Sequence, residues 1–311
     1  MPTPPPETPV DTSPEVAAEA SEVIGVDIGG TKTHGIRWSG GAVVAEARTG
    51  SANVQNVSGE EAASRLGELF AVLGGGVARV VVGAGGVDTD DDADALRRLI
   101  APHAPGASID IVHDTRLILA AGEALTGIAL IAGTGSVAWG ADGNGRQARA
   151  GGWGYLLGDE GSAYWVAREG VRATLRRFNR GQALGALGIA VLKATGLAHP
   201  EQLIALFHGG SSRQFWAGQA GVIFEAADAG DPDALAIVEQ GAAHLVGLVK
   251  DVGTVLQLHG PVVVGGGLAT HQATLRTMLH EGLADNGFTD VRFLRTDPVY
   301  GVRYLLATGS L

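Results

Sequence analysis

Cysteine is absent from the 311-residue sequence. Disulfide bonds are therefore excluded, as are zinc and iron–sulfur sites that depend on cysteine ligands. A chain without cysteine suits a reducing compartment, and we expect this protein in the cytoplasm.

Positive charge is scarce as well: the sequence has 22 Lys and Arg residues against 33 Asp and Glu residues, which gives a net charge of −11. Nucleic-acid-binding proteins usually carry a basic patch. The densest basic stretch, "LRRFNR", has the composition of a solvated helix end. No apolar run reaches the roughly 20 residues that cross a bilayer. We therefore expect neither a nucleic-acid nor a membrane partner.

The first 22 residues are rich in proline and acidic side chains. They lack the basic start and apolar middle of a signal peptide. Their composition predicts a disordered tail over residues 1–22.

Apolar strand patterns alternate with amphipathic helical patterns from Val23 onward. Strands are predicted at Val23–Ile28 and Ala42–Thr49, and helices at Ser58–Leu73 and Asp90–Ile100. This alternation indicates an α/β fold, and by itself it favours a mostly parallel sheet with helical crossovers. At about 150 residues per domain, the length predicts two domains.

The opening pattern of strand, glycine turn and second strand occurs twice. "VIGVDIGGTKT" begins at Val23, and "GIALIAGTGSVAWG" begins at Gly127. A separation of about 100 residues indicates a doubled domain rather than a short solenoid repeat.

The first glycine turn has the composition of a phosphate-binding loop. Backbone N–H groups at such turns approach anions closely, and the hydroxyls of Thr31 and Thr33 would add hydrogen bonds. Asp27 lies just before the turn, where a carboxylate next to phosphate needs a cation, which predicts Mg²⁺. The loop is not a P-loop, because Thr31 stands where the lysine belongs. A tight hairpin with a capping Asp27 is the alternative.

The second turn, Gly133–Ser136, is open to two readings: a second phosphate loop or a plain structural turn. It also matches the dinucleotide-binding pattern G-x-G-x-x-A through Ala138. That pattern must open a helix, whereas the residues that follow predict a β-hairpin, so we reject a dinucleotide site.

Asp114 ends the predicted strand "SIDIVHD" and precedes a helix. A carboxylate at the carboxyl end of a strand can serve as the base that accepts a proton from an attacking hydroxyl. An N-cap role would explain the residue equally well. His113 is expected on the opposite side of the strand.

Two further glycine-rich segments suggest ligand contacts. "GGWGYLLGDEGSAYWVA", from Gly151 to Ala167, combines carboxylates with aromatic rings, which suits a polyhydroxyl ligand; helix capping and core packing are the alternative. "GGGLAT", from Gly265 to Thr270, could lay an adenine or ribose on the backbone or could be an ordinary strand-to-helix turn.

Taken in order from Val23 to Gly309, these segments resemble the actin/hexokinase/Hsp70 ATPase superfamily. More narrowly, they resemble the N-acetylglucosamine kinase and BadF/BadG-type ATPase family, and "GGWGYLLGDEGSAYWVAREG" is the most specific match. "VHDTRLILAAGEALTG" looks most like the actinobacterial glucosamine kinases. The absence of cysteine separates the chain from ROK-type glucokinases with a zinc motif and from BadF-like proteins with an iron–sulfur cluster.

The resemblance implies an α/β, two-domain actin-like ATPase (ribonuclease H-like) fold with a duplicated mixed sheet and an interdomain cleft. The N-terminal domain would span residues 23–116, and the C-terminal domain residues 117–296. Residues 297–311 would form a closing helix that packs back on the N-terminal domain.

The resemblance also implies roles for individual residues. Asp114 would be the catalytic base, and Asp27 would serve Mg²⁺. The sugar would be bordered by Asn53, Gly85, Gly86, Gly152, Trp153, Asp159 and Glu160. ATP would be bound by Gly29, Gly30, Thr31, Lys32, Gly133, Thr134, Gly135, Gly265, Gly266 and Gly267.

The predicted function is transfer of the ATP γ-phosphate to the 6-hydroxyl of D-glucosamine, with N-acetylglucosamine as the alternative acceptor. A protonated amine requires a carboxylate, which Asp159, Glu160 or Glu169 could supply, whereas an acetamido group requires an apolar wall such as Trp153. A non-catalytic sugar sensor that binds ATP is a further alternative, and an ATPase coupled to a partner protein is another. The expected partners are the amino sugar, ATP and a second copy in a homodimer.

Overall fold

The computed structural model describes residues 22–87, 89–210 and 212–311. Apart from Glu22, the tail predicted over residues 1–22 lies outside the described residues. The chain divides into two compact units. The first holds the described residues up to Leu117 together with Val302–Leu311, and the second holds Ile118–Gly301. Among the described residues, no helix combines the length and apolarity that a bilayer span requires.

A five-stranded mixed sheet forms the centre of the first unit. Its strands are β1 (Val23–Ile28), β2 (Lys32–Ser39), β3 (Ala42–Gly50), β4 (Arg79–Ala84) and β5 (Ser108–His113). They lie in the order β3-β2-β1-β4-β5. The pairs β1–β2 and β2–β3 are antiparallel, and the pairs β1–β4 and β4–β5 are parallel. Every residue of β1 is buried, including Asp27, as expected for the central strand of a sheet.

The helices of the first unit begin at capping signals in the sequence. Ser58 caps α1 (Gly59–Leu73) by accepting a hydrogen bond from a backbone N–H in the first turn. Thr89 and Asp92 form a reciprocal capping box at the start of α2 (Asp90–Ile100). These caps fix the ends of two helices whose apolar faces pack against the sheet.

Helix α3 (Asp114–Ala121) follows β5 without an intervening residue. Asp114 therefore lies at the junction of a strand and a helix, as predicted. This junction is at the carboxyl edge of the parallel strands β1, β4 and β5, where open α/β sheets bind their ligands.

The second unit repeats the sheet of the first. Its strands are β6 (Gly127–Ala132), β7 (Ser136–Ala141), β8 (Gln147–Gly151), β9 (Val262–Gly265) and β10 (Val291–Phe293). They lie in the order β8-β7-β6-β9-β10, with the same succession of two antiparallel and two parallel pairs. The predicted duplication of a mixed sheet is therefore confirmed.

Alternation of strands and helices alone favoured mostly parallel sheets, and this expectation is wrong. Each sheet has as many antiparallel as parallel pairs. The reason is local: the glycine turns join β1 to β2 and β6 to β7 directly, and a parallel pair would need a long crossover there.

Between β8 and β10 the second unit is largely helical. Its helices are α4 (Ala163–Asn179), α5 (Gly185–Thr195), α6 (Gln202–His208), α7 (Arg213–Gly218), α8 (Ala220–Asp228), α9 (Pro232–Leu256), α10 (Gly267–His271) and α11 (Ala273–Asp285). The longest, α9, has a continuous buried face that includes Ile237, Leu245 and Val249. This face forms much of the core of the second unit.

The C-terminal helix α12 (Gly301–Ala307) belongs largely to the first unit. The side chain of Val302 lies so close to β1 that a Cβ on Gly25 would be 2.9 Å from it. Glycine in the middle of β1 thus makes room for this helix.

Candidate active site

In the first unit, the glycine turn after β4 lies against the predicted base. Gly85 and Gly86 follow β4, and Asp114 follows the neighbouring parallel strand β5. A Cβ added to Gly85 would lie 2.8 Å from Asp114 Oδ2 and 3.4 Å from Asn53 Nδ2. The structure therefore brings Asn53, Gly85 and Asp114 together, with no room for a side chain at Gly85.

The amide of Asn53 is held in a defined orientation. Its Oδ1 accepts a hydrogen bond of 2.9 Å from the backbone N–H of Gln55, and its own N–H donates to Ser51 Oγ at 3.1 Å. Asn53 Nδ2 makes no hydrogen bond to any described residue. A donor at Asn53 beside an acceptor at Asp114 suits a ligand hydroxyl, which both donates and accepts.

His113 contacts the carboxylate of Asp114, so its predicted placement on the opposite side is wrong. The imidazole Nδ1 lies 3.0 Å from Asp114 Oδ1 and 2.6 Å from Thr115 Oγ1. Side chains alternate only while the strand continues, and the chain turns into α3 at Asp114. His113 and Thr115 therefore both border the predicted base.

The first predicted phosphate loop is the tight turn between β1 and β2. The N–H of Gly29 donates to the carbonyl of Lys32 at 3.0 Å, which closes the turn. Ser51 Oγ donates to the carbonyl of Gly29 at 2.7 Å. Gly30, Thr31 and Lys32 are exposed, and Asp27 is buried at the end of β1 beside them. The turn thus offers exposed donors next to one shielded carboxylate.

Thr33 does not belong to this exposed set, although its hydroxyl was expected to contact phosphate. Its side chain is fully buried in β2. Its Oγ1 accepts a 2.9 Å hydrogen bond from the N–H of Ala52. Thr33 therefore anchors the loop that carries Asn53.

In the second unit, the predicted phosphate loop is bonded to the segment that contains Asp159. Gly133 N–H donates to the carbonyl of Gly135 at 3.0 Å, which closes the turn between β6 and β7. Ser136 then donates from its N–H to Asp159 Oδ1 at 3.2 Å and from its Oγ to the carbonyl of Glu160 at 2.8 Å. These bonds fix Asp159 directly beside the loop.

Asp159 is a buried carboxylate in an unusual backbone conformation. Its side chain is almost entirely shielded from solvent, and its φ of 61° lies in the left-handed region that non-glycine residues rarely adopt. Burial raises the pKa of Asp159, although the Ser136 N–H and the nearby Arg213 guanidinium act in the opposite direction. Nη2 of Arg213 lies 3.2 Å from Asp159 Oδ2.

The two other carboxylates of this region differ in their surroundings. Glu169, on α4, is buried, and its Oε1 lies 3.2 Å from Arg168 Nε and 2.9 Å from Arg172 Nη1. Glu160 is half-buried, and its carboxylate has no hydrogen bond or ion pair with any described residue. Of the three acidic candidates, Glu160 alone has an uncompensated charge.

Trp153 is exposed, and an arginine stacks on it. The guanidinium carbon of Arg149 lies 4.8 Å from the centre of the indole ring, and the same guanidinium donates to the carbonyl of Gly152. Gly152 has a φ of 70°, and a Cβ there would lie 2.9 Å from Arg149 Nη2. One face of the indole is therefore already occupied by a cation.

The triple-glycine turn after β9 packs on the end of β6. Gly266 has a φ of 95°, and a Cβ on it would lie 2.5 Å from the carbonyl oxygen of Ala132. Ala132 immediately precedes the loop of Gly133–Gly135. The second unit therefore brings the predicted nucleotide turn, Gly265–Gly267, next to the predicted phosphate loop.

The sequence profile of the BadF/BadG/BcrA/BcrD ATPase family matches residues 24–288. The chain belongs to this family. It is 32% identical over 252 residues to the N-acetylmuramic acid/N-acetylglucosamine kinase of Clostridium acetobutylicum, a match that covers 78% of this chain and 82% of that protein. It is 27% identical to the N-acetyl-D-glucosamine kinase of Dictyostelium discoideum over 92% of this chain and 98% of that one.

A solved structure shares the fold over nearly its whole length. The crystal structure of a Chromobacterium violaceum protein assigned as an N-acetylglucosamine kinase superposes with a TM-score of 0.72 at 25% identity. The match covers 93% of this chain and 99% of that one. The predicted family, the actin-like ATPase fold class and the prediction of an ATP-dependent kinase are confirmed by these comparisons.

Two arginines of this family ATPase were missed by sequence reasoning. Arg213 lies 54 residues after Asp159 in the sequence, and Arg149 lies in a predicted hairpin. Neither belongs to a glycine or carboxylate motif, so no local pattern marks them. The packing of α7 and the pairing of β7 with β8 bring them to the site.

Proposed function

We propose that this BadF/BadG/BcrA/BcrD family ATPase transfers the γ-phosphate of ATP to the 6-hydroxyl of D-glucosamine. The observation that carries the proposal is the pair of Asp114 and Asn53 at the Gly85 turn, a proton acceptor beside a hydroxyl donor. The relatives are named as kinases of N-acetylated amino sugars, which supports an amino-sugar acceptor. N-acetylglucosamine is the alternative acceptor.

In this proposal, Asp114 orients the 6-hydroxyl and accepts its proton as the oxygen attacks. The bond from O6 to the γ-phosphorus forms while the bond from that phosphorus to the β–γ bridging oxygen breaks, and ADP leaves. Asn53 Nδ2 donates to a sugar hydroxyl, and Asp159 accepts from another. Gly152 and Trp153 border the sugar on the second unit.

The glycine loops would hold the nucleotide. Donors of the two turns, Gly29–Lys32 and Gly133–Gly135, would bind phosphate oxygens, and this would stabilise the negative charge that develops during transfer. Gly265–Gly267 would border the adenosine, because their backbone carries no side chain that blocks a flat ligand.

The residues present fit a Mg²⁺ ion that is carried largely by the nucleotide. No group of three or more metal-ligating side chains occurs within residues 22–87, 89–210 and 212–311. Mg²⁺ in kinases is typically held by one or two carboxylates together with phosphates and water. Asp27 supplies one shielded carboxylate beside the first loop, and bound Mg²⁺ would neutralise phosphate charge there.

The proposal is tested by measuring ADP release with Mg-ATP and four acceptors: glucosamine, N-acetylglucosamine, glucose and N-acetylmannosamine. We expect the highest kcat/KM with glucosamine. A preference for N-acetylglucosamine would replace the proposed acceptor by its alternative. If none of the four acceptors raises the rate of ADP release above the rate without sugar, a non-catalytic sugar sensor would be favoured.

Glu160 supports glucosamine over its N-acetylated form. A protonated 2-amine is stabilised by an uncompensated carboxylate, and Asp159 and Glu169 are already opposed by arginines. An acetyl group would require an apolar wall, whereas one face of Trp153 is covered by Arg149. We therefore assign recognition of the amine to Glu160.

Replacing Glu160 by Gln should lower kcat/KM for glucosamine by roughly tenfold or more, because a hydrogen bond to a charged group contributes about 1.5–3 kcal/mol. The kcat/KM for N-acetylglucosamine should change by less than about twofold, because that acceptor carries no charge. Steady-state kinetics with both sugars below pH 7 provide the measurement. Glu239→Gln, at an exposed position on α9, is the matched control. Equal losses with both sugars would argue against amine recognition by Glu160.

A further inference from the structure

Arg213 is held in place by the packing of its own short helix. Ser212 caps α7 by accepting a hydrogen bond of 3.1 Å from the N–H of Phe215. Trp216, on the same helix, is fully buried, and its ring lies 4.5 Å from that of Phe207. Because the helix is anchored at both points, the origin of the Arg213 side chain is fixed.

The guanidinium of Arg213 reaches three features of the candidate site. Its Nη2 lies 3.2 Å from Asp159 Oδ2, and its Cζ lies 5.9 Å from the centre of the Tyr155 ring. A Cβ on Gly135 would lie 2.5 Å from the same Nη2. Arg213 Nε is buried and has no hydrogen bond to the described residues. The absence of a side chain at Gly135 thus leaves the space that the guanidinium occupies.

We propose that Arg213 is a positioning residue that holds the Asp159 carboxylate ready to accept hydrogen bonds from the acceptor sugar. Ser136 donates a hydrogen bond to Oδ1, whereas the Arg213 guanidinium lies 3.2 Å from Oδ2 as an ion-pair partner, so Oδ2 keeps its capacity to accept a hydrogen bond from the sugar. The inference rests on the proposed function, in which Asp159 borders the sugar. It adds a residue that belongs to none of the sequence motifs.

The positive charge of Arg213 favours the ionised form of the Asp159 carboxylate. Burial favours the protonated form of that carboxylate, and the neighbouring charge of Glu160 acts in the same direction. A protonated carboxyl group loses part of its capacity to accept hydrogen bonds. The guanidinium opposes this effect, and it also compensates a charge that would otherwise be buried alone.

The test is a double-mutant cycle with Arg213→Met, Asp159→Asn and the combined variant, assayed for kcat and for the KM values of sugar and ATP. Arg213→Met should raise the sugar KM about tenfold and change the ATP KM by less than about twofold. In the Asp159→Asn background, Arg213→Met should add less than about twofold to the sugar KM. A purely structural role would not give this non-additivity together with selectivity for the sugar.

Arg213→Lys keeps the charge and should restore the sugar KM to within about threefold of the wild-type value. If Arg213→Met fails to fold, the sugar KM of Arg213→Lys still tests the proposed role of Arg213. Arg176→Met, at an exposed position on α4, controls for the loss of a positive charge. Thermal melts of all variants show which of them are folded.

The outcomes separate this inference from the proposed function. If Asp159→Asn leaves the sugar KM unchanged, the proposed sugar contact of Asp159 fails, whatever Arg213 does. If Asp159→Asn raises the sugar KM and neither Arg213 variant does, the inference about Arg213 is overturned and the proposed function stands. An equal rise in both KM values, or a full additional effect in the Asp159→Asn background, would also overturn it.

Discussion

Replacing Asp114 by Ala should lower kcat by about 10²–10⁴-fold, the usual contribution of a general base. The carboxylate lies against Gly85 and beside Asn53, and neither of these two residues can accept a proton. The third neighbour, His113, lies with its Nδ1 3.0 Å from Asp114 Oδ1, but the same Nδ1 is already hydrogen-bonded to Thr115 Oγ1. ATP affinity should stay within about twofold of wild type, because the proposed phosphate loops are separate from β5. Single-turnover ADP formation and equilibrium binding of ATP provide the two measurements.

Two further variants make this result interpretable. Asp114→Asn keeps the size of the side chain and removes the basic oxygen, so it should lose activity to a similar extent. Asp110→Asn, on the same strand, removes a carboxylate that pairs with Arg79 Nε at 2.6 Å, and it should retain kcat. If Asp114→Ala keeps more than about a tenth of the wild-type kcat, Asp114 is not the base.

Local patterns were sufficient to predict most strands, helices and turns. The two strand–turn–strand segments, the capped helices and the strand end at Asp114 depend on residues adjacent in sequence. Their physical causes are apolar periodicity, helix capping and glycine turns, which act over a few residues. Duplication could be inferred because the same local pattern recurs about 100 residues later.

Side-chain partners were harder to predict. Thr33 was expected to contact phosphate, but its side chain is buried and its Oγ1 accepts a hydrogen bond from the N–H of Ala52, which is distant in sequence. His113 was expected to lie away from Asp114, but the strand ends between them and the two side chains meet. Arg213 reaches Asp159 only because α7 packs into the second unit. Each case depends on how a turn or helix packs in three dimensions, which periodicity does not encode.

The same limit applies to the choice among acidic residues. The sequence offered Asp159, Glu160 and Glu169 as equivalent carboxylates. Their difference lies in which arginine faces each one, and two of the three carboxylates are compensated in the folded chain. The proposed specificity for a cationic sugar therefore rests on the ion-pair arrangement rather than on the motif.

Replacing Gly266 by Ala should lower the melting temperature by about 5–10 °C and raise the ATP KM by roughly tenfold or more. The added Cβ would lie 2.5 Å from the carbonyl oxygen and 2.6 Å from the carbonyl carbon of Ala132, and backbone atoms cannot swing aside as a flexible side chain can. The φ of 95° adds strain for any residue other than glycine. A cost of about 2–3 kcal/mol corresponds to that shift in melting temperature for a cooperative unit of roughly 150–250 residues, a range that includes the second unit, Ile118–Gly301.

The effect on ATP follows from the position of Ala132. It is the last residue of β6 and directly precedes Gly133, so relief of the clash must displace the phosphate loop, the triple-glycine turn or both. Gly221→Ala, on α8, is the matched control, because no atom lies within 4 Å of the added Cβ and alanine favours the helix. Its melting temperature should be equal to or above that of wild type. Unchanged melting and ATP KM in Gly266→Ala would show that this turn neither packs on β6 as described nor borders the nucleotide.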